Sequence, residues 1–191
     1  MATSKKDQLI QTALGLFYKY GYHATGIDQI IAESGVSKMT LYSHFKSKEE
    51  LFLAALKQQQ EKAIAWVIEE SQRRGGTPRE RLLAVLEAYL EVCEEEGFQG
   101  CRFVNATVEF PEHDHPIHQA AAEYKHKCTD YMCELATSAG ARDPNALASG
   151  LMLLLDGAIV TVHVTGQTAL ARKAYHMAEI ILAEALDRSA P

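Results

Sequence analysis

No positively charged start leads into an apolar run, so a signal peptide is not expected. The longest apolar stretch, Leu151 to Leu155 and on to Val164, is broken by Asp156 and falls short of the roughly 20 residues that span a bilayer. A cytoplasmic protein with no membrane partner is the expectation. The four cysteines, Cys93, Cys101, Cys128 and Cys133, form no CxxC pair, and in that setting they read as reduced thiols rather than bridges. A Gly-rich phosphate loop, a Ser-centred elbow and a metalloprotease motif are all missing, which removes the usual grounds for an enzyme and leaves no cofactor or metal to expect. Internal repeats, low-complexity segments and convincing strand patterns are missing too, so the chain reads as all-α.

What is present has the composition of a globular protein: 47% of the 191 residues are apolar and 23% charged, ample for a substantial core. The net charge of −6 looks wrong for a partner of nucleic acid until it is divided. Residues 1–48 hold six lysines against Asp7, Asp28 and Glu33, a surplus of +3, so the remainder carries −9. A basic head on an acidic body directs the head to phosphate and keeps the body off it.

Within that head, the stretch from Ile27 to Leu51 organises the rest. Ile27, Ile30 and Ile31 share one helical face, and Gly35 can take the positive φ that ends a helix and turns the chain. Val36 then plugs the corner, and Ser37 N-caps a short second helix from Lys38 to about His44. Lys38, Met39, Thr40, Tyr42 and His44 face outward on it, with Leu41 and Phe45 inward. This is a helix-turn-helix, whose second member enters the major groove of double-stranded DNA.

The run TGIDQIIAESGVSKMTLYSHFKSKEELF resembles the signature of the tetracycline-repressor (TetR) family of transcriptional regulators. The shared pieces are the Thr before helix 2, the Gly-Val-Ser turn, the Leu-Tyr-x-His-Phe recognition helix and the Lys-x-x-Leu opening of helix 4. The resemblance covers about the first fifty residues closely. It implies a DNA-binding domain over residues 1–48, and a ligand-binding and dimerisation domain over 49–191. It also implies that Thr25 and Tyr42 touch the DNA backbone. Lys48, at the start of helix 4, is positioned by its charge and by the helix N-terminus to address a phosphate. The expected DNA-binding set is thus Thr25, Ser37, Lys38, Met39, Thr40, Tyr42, His44 and Lys48.

Helix boundaries follow from caps. Ser4 with Asp7, Thr25 with Asp28, Ser47 with Glu50 and Thr77 with Glu80 read as capping boxes opening helices 1, 2, 4 and 5. Helix 4 is expected from Lys48 to about Ser71, roughly 35 Å, before Gly75-Gly76 breaks it. A short helix from about Arg102 to Phe110, then longer ones from Pro116 to about Ser138, from Pro144 to about Val164, and from about Thr168 to Leu186, bring the total to about nine.

The last two helices are more apolar than one body layer needs, which predicts a homodimeric four-helix seam, as the family resemblance also implies. By that resemblance the body holds a small-molecule inducer, with Tyr89, Phe103, Asn105, Glu109, Phe110, Tyr124, Tyr131 and Met152 as candidate lining. Expected function is a repressor that binds a palindromic operator as a homodimer and is released by its ligand. Two rivals stand beside it: a redox- or metal-responsive regulator using Cys101 or the cluster His113, His115 and His118, and an enzyme or plain binding protein with a vestigial head.

Overall fold

The computed structural model describes residues 4–187. Among these the chain forms nine α-helices and no strand: α1 (Lys5–Tyr20), α2 (Ile27–Ser34), α3 (Lys38–His44), α4 (Lys48–Arg74), α5 (Pro78–Val92), α6 (Arg102–Glu109), α7 (Pro116–Ser138), α8 (Pro144–Thr165) and α9 (Ala169–Leu186). They gather into two compact units. One takes the residues up to Lys62 together with Arg102–Tyr124, the other Ala63–Cys101 with the residues from Lys125 onward.

In the first unit α1, α2 and α3 pack on one another around Leu9, Ile30 and Leu41, all fully enclosed. Gly35 ends α2 at φ +63, the left-handed conformation that reverses the chain at little steric cost to glycine. Val36 is 3% exposed and fills the corner behind it. Ser37 caps α3, its hydroxyl oxygen accepting the Thr40 N–H at 3.1 Å.

The cap pattern holds in part. Thr77 and Glu80 form a complete capping box with Pro78 as first helical residue. Ser47 accepts the Glu50 N–H at 3.0 Å, but the Glu50 carboxylate reaches back one residue further, to the Lys46 N–H at 2.7 Å. Ser4 accepts the Asp7 N–H at 3.0 Å and donates its own hydroxyl to the Asp7 carboxylate at 2.7 Å. Thr25 is a correction: Gly26 stands at the N-cap of α2 with no side-chain bond, and the Thr25 hydroxyl donates backward to the Gly21 carbonyl at 2.7 Å.

In the second unit α8 packs on α9 and α5, and α5 on α9, around Leu82, Leu86, Leu151, Leu155 and Leu182. Helix α4 runs to Arg74, a turn beyond the expected end, and its 27 residues extend about 40 Å. Gly75 follows because the first turn of α5 lies against it: a Cβ there would stand 2.5 Å from the Arg81 backbone nitrogen. Helix α8, at 22 residues, is longer than the apolar run suggested and passes for a membrane span by length and composition. Its Leu147, Leu151, Leu155 and Ile159 are nonetheless buried in this core. Leu153 and Val164 on α8 are 75% and 74% exposed, with Val160, Met177 and Ile180 about half exposed.

Candidate nucleic-acid interface

The candidate recognition surface lies on α3. Leu41 is fully buried and Phe45 is 3% exposed, which fixes the helix by its inner side. Met39 is 82% exposed and Tyr42 49%, while Ser37, Lys38 and His44 are also exposed. Thr40 is half-buried, and its hydroxyl pairs with the Ser37 hydroxyl at 2.8 Å, so it serves the cap as well as the surface. Lys38 meets Asp28 at 3.3 Å, an exposed pair that contributes little by itself. The face therefore offers a cation, an aromatic hydroxyl, an imidazole and a thioether over an apolar anchor, groups suited to phosphate and base-edge contact.

The other two expected contacts lie elsewhere in structure. Thr25 is fully buried, its hydroxyl spent on the Gly21 and Leu16 carbonyls at 2.7 and 3.3 Å. Lys48 is half-buried and donates to the Tyr22 and Thr25 carbonyls at 2.9 and 3.0 Å, with its ammonium 4.1 Å from the centre of the Tyr22 ring. Burial pulls this ammonium below the usual lysine range, and the Glu109 carboxylate works against that.

Glu109, expected on the ligand, is committed to the same turn. Its two oxygens accept the Tyr22 and His23 N–H groups at 2.7 and 2.8 Å. Gly21, at φ +85, lies so close that an added Cβ would stand 3.1 Å from Glu109 Oε1. Phe110 backs the contact, with its ring 4.8 Å from Tyr22 and 6.0 Å from Phe52. Burial first, then the charges of Glu49 and Glu109, pushes the Tyr22 phenol up. Nothing in the local sequence pointed to this grip, because Glu109 lies 86 and 87 positions from the amides it holds.

The remaining ligand candidates divide between the units. Phe103 stacks on Tyr124 with centroids 3.7 Å apart, and Asn105 lines a cavity of about 20 Å³, room for a single water, in the first unit. In the second, Tyr89 meets Trp66 edge-on at 5.5 Å and its hydroxyl lies 3.7 Å from Cys128 Sγ; Tyr131 bonds to Ser71, and Met152 is buried. An open groove of about 270 Å³ between α5 and α9 is lined by residues such as Glu87, Glu91, Glu94 and Tyr175, none of them among the expected eight.

The histidines also separate. His113 Nδ1 and His118 Nε2 lie 3.0 Å apart and His118 Nδ1 donates to the Phe110 carbonyl at 2.8 Å, whereas His115 turns to Glu49 at 3.5 Å. Among the described residues no three His, Cys, Asp or Glu side chains converge as a metal set. Cys101 and Cys133 are half-buried, Cys93 and Cys128 buried, and none of the four is in a disulfide. Burial pushes the Cys93 thiol up to about 11.

The family model described as bacterial regulatory proteins of the tetR family matches residues 9–55, and the one described as the tetracyclin repressor-like C-terminal domain matches residues 78–178. The transcriptional activator FasR of Mycolicibacterium smegmatis is 37% identical over 136 residues, covering 69% of this chain and 58% of that protein. This chain thus spans little more than half the length of that relative. The transcriptional regulator YjdC of Escherichia coli is 26% identical over 182 residues, 93% of each chain. A crystal structure of a TetR-family transcriptional regulator from Streptomyces coelicolor superposes with a TM-score of 0.88 at 30% identity, covering 96% of both chains.

Proposed function

Because this chain belongs to the TetR family of bacterial transcriptional regulators, a family of DNA-binding proteins rather than enzymes, we propose that it binds a palindromic operator as a homodimer and is released by a small-molecule ligand. On this reading it is a cytoplasmic repressor. The observation that carries the proposal is the exposed face of α3, where Lys38, Met39, Tyr42 and His44 stand over a buried Leu41. Ser37, Lys38, Met39, Thr40, Tyr42 and His44 are its reading and positioning contacts. The apolar side chains of Leu153, Val160, Val164, Met177 and Ile180 support pairing with a second copy, since such stripes need a partner. Two recognition helices then mirror a site of two half-sites.

The inducer site is proposed for the helical body, with Tyr89, Phe103, Asn105, Tyr124, Tyr131 and Met152 as lining candidates. Match to the C-terminal family model over residues 78–178 supports that placement. Selection of bound sequences from random DNA tests the first half of the reading, and a symmetric pair of half-sites is the expected yield. A reporter placed behind the selected site tests the sign of regulation. Repression that is relieved on ligand supports the proposal, whereas an asymmetric, single-site footprint made by a monomer overturns it.

A further inference from the structure

The turn of residues 21–25 joins α1 to the helix-turn-helix, and its backbone is gripped from both edges. On the amide edge, the last residue of α6 takes two successive N–H groups with one carboxylate, Tyr22 at 2.7 Å and His23 at 2.8 Å. On the carbonyl edge, the first residue of α4 gives two ammonium protons, to Tyr22 at 2.9 Å and Thr25 at 3.0 Å. Thr25 closes the turn on itself through the Gly21 carbonyl at 2.7 Å. Charged groups make hydrogen bonds roughly twice as strong as neutral ones, and four such bonds fall on one short segment.

We infer that Lys48 and Glu109 are positioning residues for operator recognition, which hold the 21–25 turn, and through it α2 and α3, in reading register without themselves contacting DNA. Three features support this over a phosphate contact for Lys48. Two of its three protons are committed to carbonyls, the side chain is half-buried, and its ammonium lies over the Tyr22 ring. Glu109, an anion, has no use for phosphate at all, yet it holds the same residue from the opposite side. Thr25, expected at the DNA, is enclosed beneath the turn that Lys48 fastens. The inference rests on the reading that α3 recognises a specific site.

Binding of wild type, Lys48→Met, Glu109→Gln and the double variant is measured against two probes, a labelled duplex selected from random DNA and poly(dI-dC). Positioning predicts that each single variant loses about tenfold or more on the selected duplex. Affinity for poly(dI-dC), which reports charge alone, stays within about twofold, and the salt slope stays at the wild-type value. The double variant loses little more than the worse single, since both act on one turn. In the free protein, Glu109→Gln shifts the Tyr22 and His23 amide proton resonances and speeds their hydrogen exchange.

A different pattern overturns the inference: Lys48→Met weakening both probes and lowering the salt slope by about 1, with Glu109→Gln binding like wild type. Should Glu109→Gln fail to fold, Gly21→Ala, which presses on the same carboxylate from the other side, is judged with Lys48→Met by the same two probes. Wild type showing no preference between the probes would instead sink the operator reading itself, a separate failure.

Discussion

Arg74 donates to three carboxylates, Glu70 at 2.8 Å, Glu91 at 2.7 Å and Glu87 at 3.4 Å, and so fastens the end of α4 to α5. Glu70 is held down to about 2, first by its hydrogen bond from Arg73 and next by that from Arg74. The folded value is depressed, so this carboxylate stabilises the fold above the ordinary value near 4.5 and loses that contribution as pH falls through about 2. Carboxyl carbon resonances followed through an acid titration should give a Glu70 midpoint near 2 in wild type and a clearly higher one in Arg73→Ala. Single residues were the least legible level of the sequence. Thr25 matched a capping box by spacing, but its burial and its bond to Gly21 depend on how α1 folds back over the turn. Glu109 was legible only as an acid beside an aromatic, since its partners are remote in sequence.

Helices fared better, because caps and periodicity are local. The Gly35 turn, the Ser37 cap and the Thr77–Glu80 box are all where the residues predict them, and α7 keeps both expected bounds. Errors gather at the ends: α4 continues past Ser71 to Arg74, where Arg73 pairs with Glu70 one turn back and Arg74 reaches Glu87 and Glu91 on α5, the latter a tertiary gain that periodicity does not reveal. Helix α3 lends itself to a paired prediction from burial. Met39→Ala, at an exposed position, should leave thermal stability unchanged while altering base preference in a selection experiment, by about 1–3 kcal/mol if it makes a good contact. Leu41→Ala, at a fully enclosed one, should cost about 2–5 kcal/mol in denaturant titration. Stability loss at Met39 with none at Leu41 would mean α3 is turned the wrong way round.

At the scale of the molecule, the division of charge into a basic start and an acidic remainder was visible from the sequence. The assembly of residues 102–124 with the N-terminal helices was not, since it depends on contacts such as Glu109 to Tyr22. The proposed domains, 1–48 for DNA and 49–191 for ligand and partner, are divisions of labour, and the compact units cut the chain at other places. The proposed pairing through α8 and α9 makes a sharp prediction. Val160→Lys, alone or with Leu153→Lys, should place a charge in the shared seam and give a monomer by sedimentation velocity. Operator affinity should fall with it, because one recognition helix meets one half-site. A variant that stayed dimeric would move the seam away from this stripe.

The grip on the 21–25 turn is made through main-chain atoms, the N–H groups of Tyr22 and His23 and the carbonyls of Tyr22 and Thr25. Such a hold reads the length of the segment rather than its lettering. Ala24, whose side chain is exposed, is therefore free to drift among many residue types over evolutionary time. A one-residue insertion or deletion there has no such freedom: it would change the spacing between the Tyr22 and Thr25 carbonyls that a single Lys48 ammonium spans.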